Sequence, residues 1–73
     1  MQPAEKLVMM ANQIARNLAV RGEAEAVSAT ADHIRRFWDP RMRAGIAAYL
    51  AGGGRLEPIA EAAVRRLEPP AGG

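Results

Sequence analysis

In Ala31-Asp32-His33-Ile34-Arg35-Arg36-Phe37-Trp38-Asp39-Pro40-Arg41-Met42-Arg43 two helical patterns meet at an Asp-Pro dipeptide. Pro40 disfavours the α-region at the residue before it, so a helix arriving from the N-terminal side has to stop at Asp39. The Asp39 carboxylate can cap a new helix, and Pro40 suits its first position because the missing N–H is one that a helix start leaves unpaired anyway. The dipeptide therefore reads as a corner. The same stretch holds the only His, the only Phe and the only Trp of the chain, with four of its ten basic residues.

Working back from the corner, Val27, Thr30, Ala31, Ile34 and Trp38 recur at helical spacing, with Phe37 on the flank and Ser28, Asp32, Arg35 and Arg36 turned away. This predicts a second helix from about Glu23, with Glu25 in its first turn, where the positive end favours acids. Ile34, Phe37 and Trp38 are expected to be core. Working forward, Met42, Ile46, Tyr49 and Leu50 share a face of a third helix from Pro40 to about Ala51. Gly45 lies beside that face. It costs about 1 kcal/mol against Ala by helix propensity, which suggests that another helix passes close there.

The outer parts follow the same logic. A first helix is expected from about Pro3 to Val20, with Leu7, Ala11, Ile14 and Leu18 on one line, widened by Val8, Met10 and Ala15, and Lys6, Asn12, Gln13, Arg16 and Asn17 opposite. Met9 falls among the polar residues, and its adaptable thioether suits a partner contact. Arg21-Gly22 closes that helix with a basic residue and a glycine able to take a left-handed cap. Gly52-Gly53-Gly54 ends the third helix. Leu56-Glu57-Pro58 then opens a fourth to about Leu67, in which Leu56, Ile59, Ala60, Ala63 and Leu67 cluster and Glu61 can pair with Arg65. The expected architecture is all-α: one helical domain over residues 1–68, built as a small bundle of three to four short helices, and a disordered Pro/Gly tail over 69–73.

Composition agrees and narrows the function. Sixteen of the 73 residues are Ala, while β-branched and aromatic residues are few; strands favour the latter and helices the former. A chain this short buries only about 60% of its unfolded surface, so its core is marginal. Cysteine is absent, which removes disulfides, thiolate metal sites and cysteine nucleophiles and suits a reducing, cytoplasmic setting. No apolar run approaches the roughly 20 residues of a membrane span. The formal charge of +2 is too small to carry nucleic-acid binding by bulk electrostatics.

Few residues suggest chemistry. His33 stands alone, and a zinc site needs three or four ligands; a partly exposed helix residue bonded to a carbonyl or to a partner is the plainer reading. Ser28 and Thr30 have no base at helical spacing, and the acids form no converging pair. The glycine run lacks the Lys-Ser/Thr ending of a phosphate loop and follows a helix. No catalytic, cofactor-binding or metal-ligating residue is assigned. Arg35, Arg36, Arg41 and Arg43 weigh more. Asp32 with Arg36 and Asp39 with Arg43 can form i,i+4 pairs on a solvated face, or the arginines can meet acidic groups of another protein beside Trp38 or Phe37, since Arg and Trp are frequent hot-spot residues.

Met10-Ala11-Asn12-Gln13-Ile14-Ala15, then Ala31-Asp32-His33-Ile34 leading into Phe37-Trp38-Asp39-Pro40-Arg41-Met42-Arg43, and a glycine-rich turn followed by Leu56-Glu57-Pro58, resemble the small delta subunit of NAD-dependent, molybdenum-containing formate dehydrogenase. The resemblance spans roughly residues 7 to 66, and its middle motif is the specific one. It implies a non-catalytic accessory subunit of a soluble bacterial complex, associated with the catalytic (alpha) subunit and with assembly or stability of the holoenzyme. It also implies that the molybdenum cofactor, iron–sulfur clusters, FMN and NAD belong to partner subunits and none to this chain.

The expected partner-binding residues are then Met9, His33, Arg35, Arg36, Arg41 and Arg43. Two alternatives stay open. One is a transient maturation factor that helps molybdenum-cofactor insertion and leaves. The other is a small nucleic-acid-binding module, since two helices meeting beside an arginine cluster superficially look like a helix-turn-helix; its binding would weaken steeply with salt.

Overall fold

The computed structural model describes residues 4–67, and among them it is all-α, with no strand. Helix α1 spans Ala4–Leu18 and tightens into a 3-10 turn over Ala19–Arg21; α2 spans Glu23–Phe37, α3 Pro40–Ala51 and α4 Pro58–Leu67. The expected start at Pro3 and the expected tail over 69–73 lie outside the described residues.

Each boundary has a local cause. Gly22 joins the 3-10 turn to α2 with φ +96° and ψ 151°. This is not the left-handed cap expected from the sequence but the extended region of positive φ that is essentially reserved for glycine. Its N–H closes on the Ala19 carbonyl at 3.1 Å. At the corner, Asp39 is extended (φ −77°, ψ 169°) and its Oδ1 accepts the Met42 N–H at 2.9 Å, so both the stop and the restart read from Asp39-Pro40 are present.

The main core gathers Leu7, Ala11 and Ala15 of α1, Ile34 and Trp38, Ile46 and Leu50 of α3, and Leu56, Ala60 and Val64 around α4. A smaller cluster of Val27, Ala31 and Ala63 joins α2 to α4, the most extensive helix pairing in the molecule. Short side chains there allow the two backbones to approach. The close approach suggested by Gly45 is also real: a β-carbon on it would stand 2.9 Å from Leu7 Cδ1, so the glycine sits where α1 crosses α3.

Two core expectations change. Phe37, expected inside, is 71% exposed. It lies 100° around the helix from Trp38, so Trp38 joins the main core with residues of α1, α3 and α4 while Phe37 stays outside it. Val64, absent from the predicted α4 stripe, is fully buried, because α4 packs on α1, α2 and α3 together and buries more than a single stripe.

Candidate functional site

The corner between α2 and α3 concentrates what the chain offers to a partner. Residues 32–43 carry four arginines and two aspartates, and elsewhere six basic residues balance six acidic ones, so the whole formal excess of +2 belongs to this segment. The four arginines are not equivalent. Arg43 Nη1 donates to the main-chain carbonyls of Arg35 at 3.1 Å and Trp38 at 3.0 Å, placing a cation on the negative end of α2. Arg35 pairs with Asp32 at 3.1 Å with i,i+3 spacing. Of the two readings left open, the i,i+4 pairs do not form: Asp32 takes Arg35 instead of Arg36, and Asp39 accepts the Met42 amide. Arg36 and Arg41 are exposed and enter no ion pair among the described residues.

His33 is exposed, and its ring lies 4.8 Å from that of Phe37, tilted by 46°. The two are one helical turn apart and face solvent together. Met9 is 62% exposed but stands on α1, so of the six expected contact residues it is the one that does not belong to the corner. Phe37, expected in the core, belongs to the corner instead; the signal for this in the sequence was its place on the flank of the α2 stripe.

A second feature lies at the far end of α2. Arg16 donates from Nη2 to Glu57 Oε2 at 2.6 Å and from Nε at 3.0 Å, and Asn12 Oδ1 accepts the Glu57 N–H at 3.0 Å. The predicted polar face of α1 therefore holds the start of α4 in place. The Glu57 carboxylate raises the Arg16 pKa from its ordinary value, chiefly through the hydrogen bond. Beside the pair is a cleft of about 240 Å³ lined by Ala15, Ala19, Glu23, Pro58 and Ile59. It offers an apolar floor with carboxylates at its rim, and none of these residues is a nucleophile activated by a base. Among the described residues no group of three or more His, Asp or Glu could hold a metal ion.

Residues 6–64 match the family described as "NADH-dependant formate dehydrogenase delta subunit FdsD", a span that takes in most of α1, all of α2 and α3, and much of α4. The chain belongs to this delta subunit family. Comparison with curated proteins and with solved structures finds no match. Over its described residues this delta-family chain is a unit of four α-helices whose Asp39-Pro40 corner, the most specific part of the sequence resemblance, is also where the net charge and the exposed Phe37 ring meet. No described helix is long and apolar enough to cross a membrane.

Proposed function

We propose that this delta-family chain is a non-catalytic accessory subunit of a soluble, cytoplasmic NAD-dependent formate dehydrogenase complex, and that it docks on and stabilises the catalytic subunit bearing the molybdenum cofactor. The observation that carries the reading is the family match over residues 6–64. The uneven charge distribution supports a docking role, because a basic patch on an otherwise neutral chain steers encounter with an acidic surface. The molybdenum cofactor, iron–sulfur clusters, FMN and NAD are assigned in this reading to partner subunits. A cysteine-free chain supplies none of the thiolates that iron–sulfur clusters use.

Within this reading His33, Arg36 and Arg41 face the partner, Arg35 and Arg43 shape the corner that presents them, and Met9 forms a separate second contact. Co-expression with the other subunits, affinity purification through this chain and quantitation of each subunit test the proposal. A stable stoichiometric complex is the expected result. Substoichiometric recovery combined with loss of active enzyme on gene deletion would favour a maturation factor instead, and failure to recover any formate dehydrogenase subunit would end the docking reading.

A further inference from the structure

Among the described residues Phe37 is the largest of the exposed hydrophobic side chains. The chain has one Phe, one Trp and one Tyr. Trp38 is only 4% exposed, in the main core, and the Tyr49 hydroxyl donates to the Arg55 carbonyl at 3.2 Å. Phe37 makes neither arrangement. Yet it is not on a loose segment. Ile34 and Trp38 on either side are buried, the Trp38 N–H closes on the Ile34 carbonyl at 2.9 Å, and Arg43 fastens the carbonyls of Arg35 and Trp38. The backbone beneath the ring is held from both ends of the corner, and His33 braces one side of the ring. A large apolar group held this way loses little conformational freedom when something covers it, which is what an effective binding anchor requires.

The surrounding charge selects what covers it. Arg36 precedes the ring and Arg41 follows it in the first turn of α3, both exposed and outside any ion pair among the described residues. A second copy of the chain would bring one +2 corner against another and is disfavoured by like charge. A nucleic-acid backbone would satisfy arginines but leave the ring without an apolar neighbour, and two available arginines release few counterions. An acidic protein surface with an apolar recess satisfies both features.

We infer that Phe37, braced by His33 and flanked by Arg36 and Arg41, is an anchor that inserts into an apolar recess rimmed with carboxylates on a partner protein; that the partner is a formate dehydrogenase subunit rests on the accessory-subunit reading. The anchor accounts for why an aromatic ring is left outside a core too small to spare one.

The test is binding of the purified chain to purified formate dehydrogenase complex lacking this subunit, with folding of each variant checked by circular dichroism. Because the Phe37 ring is outside the core, Phe37→Ala leaves helicity unchanged, and it is expected to weaken binding by about thirtyfold or more, as truncation of a central aromatic anchor does. Phe37→Leu retains part of the affinity. Arg36→Glu with Arg41→Glu weakens binding and reduces its salt dependence. Val20→Ser is the control: Val20 is 90% exposed at the opposite end of α2, about 20 Å away along a 15-residue helix, and its replacement leaves binding unchanged. A folded Phe37→Ala chain that binds within twofold of wild type overturns the anchor and leaves the accessory-subunit reading standing. A wild-type chain that does not bind the complex overturns both. A free chain that dimerises, and that Phe37→Ala makes monomeric, overturns the assignment of a partner protein in favour of a second copy.

Discussion

Arg43 is hydrogen-bonded through Nη1 to the carbonyl oxygen of Trp38 at 3.0 Å, across the corner that Asp39-Pro40 creates. The same nitrogen reaches the Arg35 carbonyl at 3.1 Å. α2 ends in carbonyls that no following amide can satisfy, because the chain has turned away. Arg43, from the first turn of the next helix, satisfies two of them, so one of the four clustered arginines belongs to the architecture of the corner and not to its rim.

Arg43→Ala is therefore expected to lower stability by about 1–2 kcal/mol, from the lost charge-assisted hydrogen bonds and the lost cation at a helix C-terminus. Arg41→Ala, two residues away and outside any ion pair among the described residues, should stay within about 0.5 kcal/mol of wild type. Urea unfolding of the two variants checks this, and equal losses would show that the bonds to Arg35 and Trp38 contribute nothing. The difference also governs the choice of binding variants, since charge reversal at position 43 disturbs the corner as well as the surface.

Thr30 is fully buried on the inner face of α2, and its Oγ1 has no hydrogen-bond partner among the described residues. A hydroxyl removed from water without a partner costs roughly 1–3 kcal/mol in proteins. Valine has nearly the same shape without the polar atom, so Thr30→Val should raise the thermal midpoint, by about 4–8 °C for each kcal/mol regained in a domain of this size. Differential scanning calorimetry provides the check; a lower midpoint would mean that the hydroxyl is bonded in solution.

Much of the fold was legible because its punctuation is chemical. Asp39-Pro40 predicted both the end of α2 and the start of α3, and the observed α3 bounds of Pro40–Ala51 are those expected. Gly45 signalled the close approach that Leu7 makes, and the Glu61–Arg65 pair formed at its i,i+4 spacing. What failed was not settled by local spacing. Phe37 and Trp38 are neighbours with similar chemistry, and only the packing around them decides which is covered. The Arg43 bonds go to carbonyls, which periodicity does not register, while Arg16 and Asn12 meet Glu57 across 41 and 45 residues. At the corner, local spacing could not say which arginine the fold occupies internally: only the structure shows Arg43 bonded to the Arg35 and Trp38 carbonyls.

Gly45 sets two effects against each other. Alanine inside α3 gains about 1 kcal/mol of helix propensity over glycine. Its β-carbon, however, would stand 2.9 Å from Cδ1 of Leu7, and Leu7 is 1% exposed within the main core, where overpacking costs typically 1–3 kcal/mol. The packing cost offsets the propensity gain, so Gly45→Ala should fail to stabilise the chain by the helix-propensity increment. Adding Leu7→Val, which shortens the obstructing side chain, should make the same alanine less costly than it is against Leu7. A Gly45→Ala single variant that gains the full helix-propensity increment would show that Leu7 moves aside freely.

Glu61 governs the acid behaviour of the α4 start. Its carboxylate accepts from Arg65 Nη2 at 3.1 Å, from the Leu56 amide at 3.2 Å and from Arg55 Nε at 3.3 Å, with its side chain 16% exposed. The Arg65 hydrogen bond, then the Leu56 N–H, with Arg55 adding less, hold its pKa below the ordinary carboxylate value against the opposing effect of desolvation. A folded-state pKa below the unfolded one means that the unfolded chain binds the proton more readily. The stabilisation is thus complete above the unfolded value, about 4.3, and is lost as pH falls through the lower folded value. The urea midpoint of the wild type should fall on acidification below about pH 4.3, as Glu61 protonates. Glu61→Gln keeps an acceptor oxygen for the Leu56 amide but carries no titrating charge, so it should be less stable than wild type at pH 6 and should lose less on acidification. Parallel curves for the two proteins from pH 6 to pH 3 would show that the interactions converging on Glu61 do not depend on its charge.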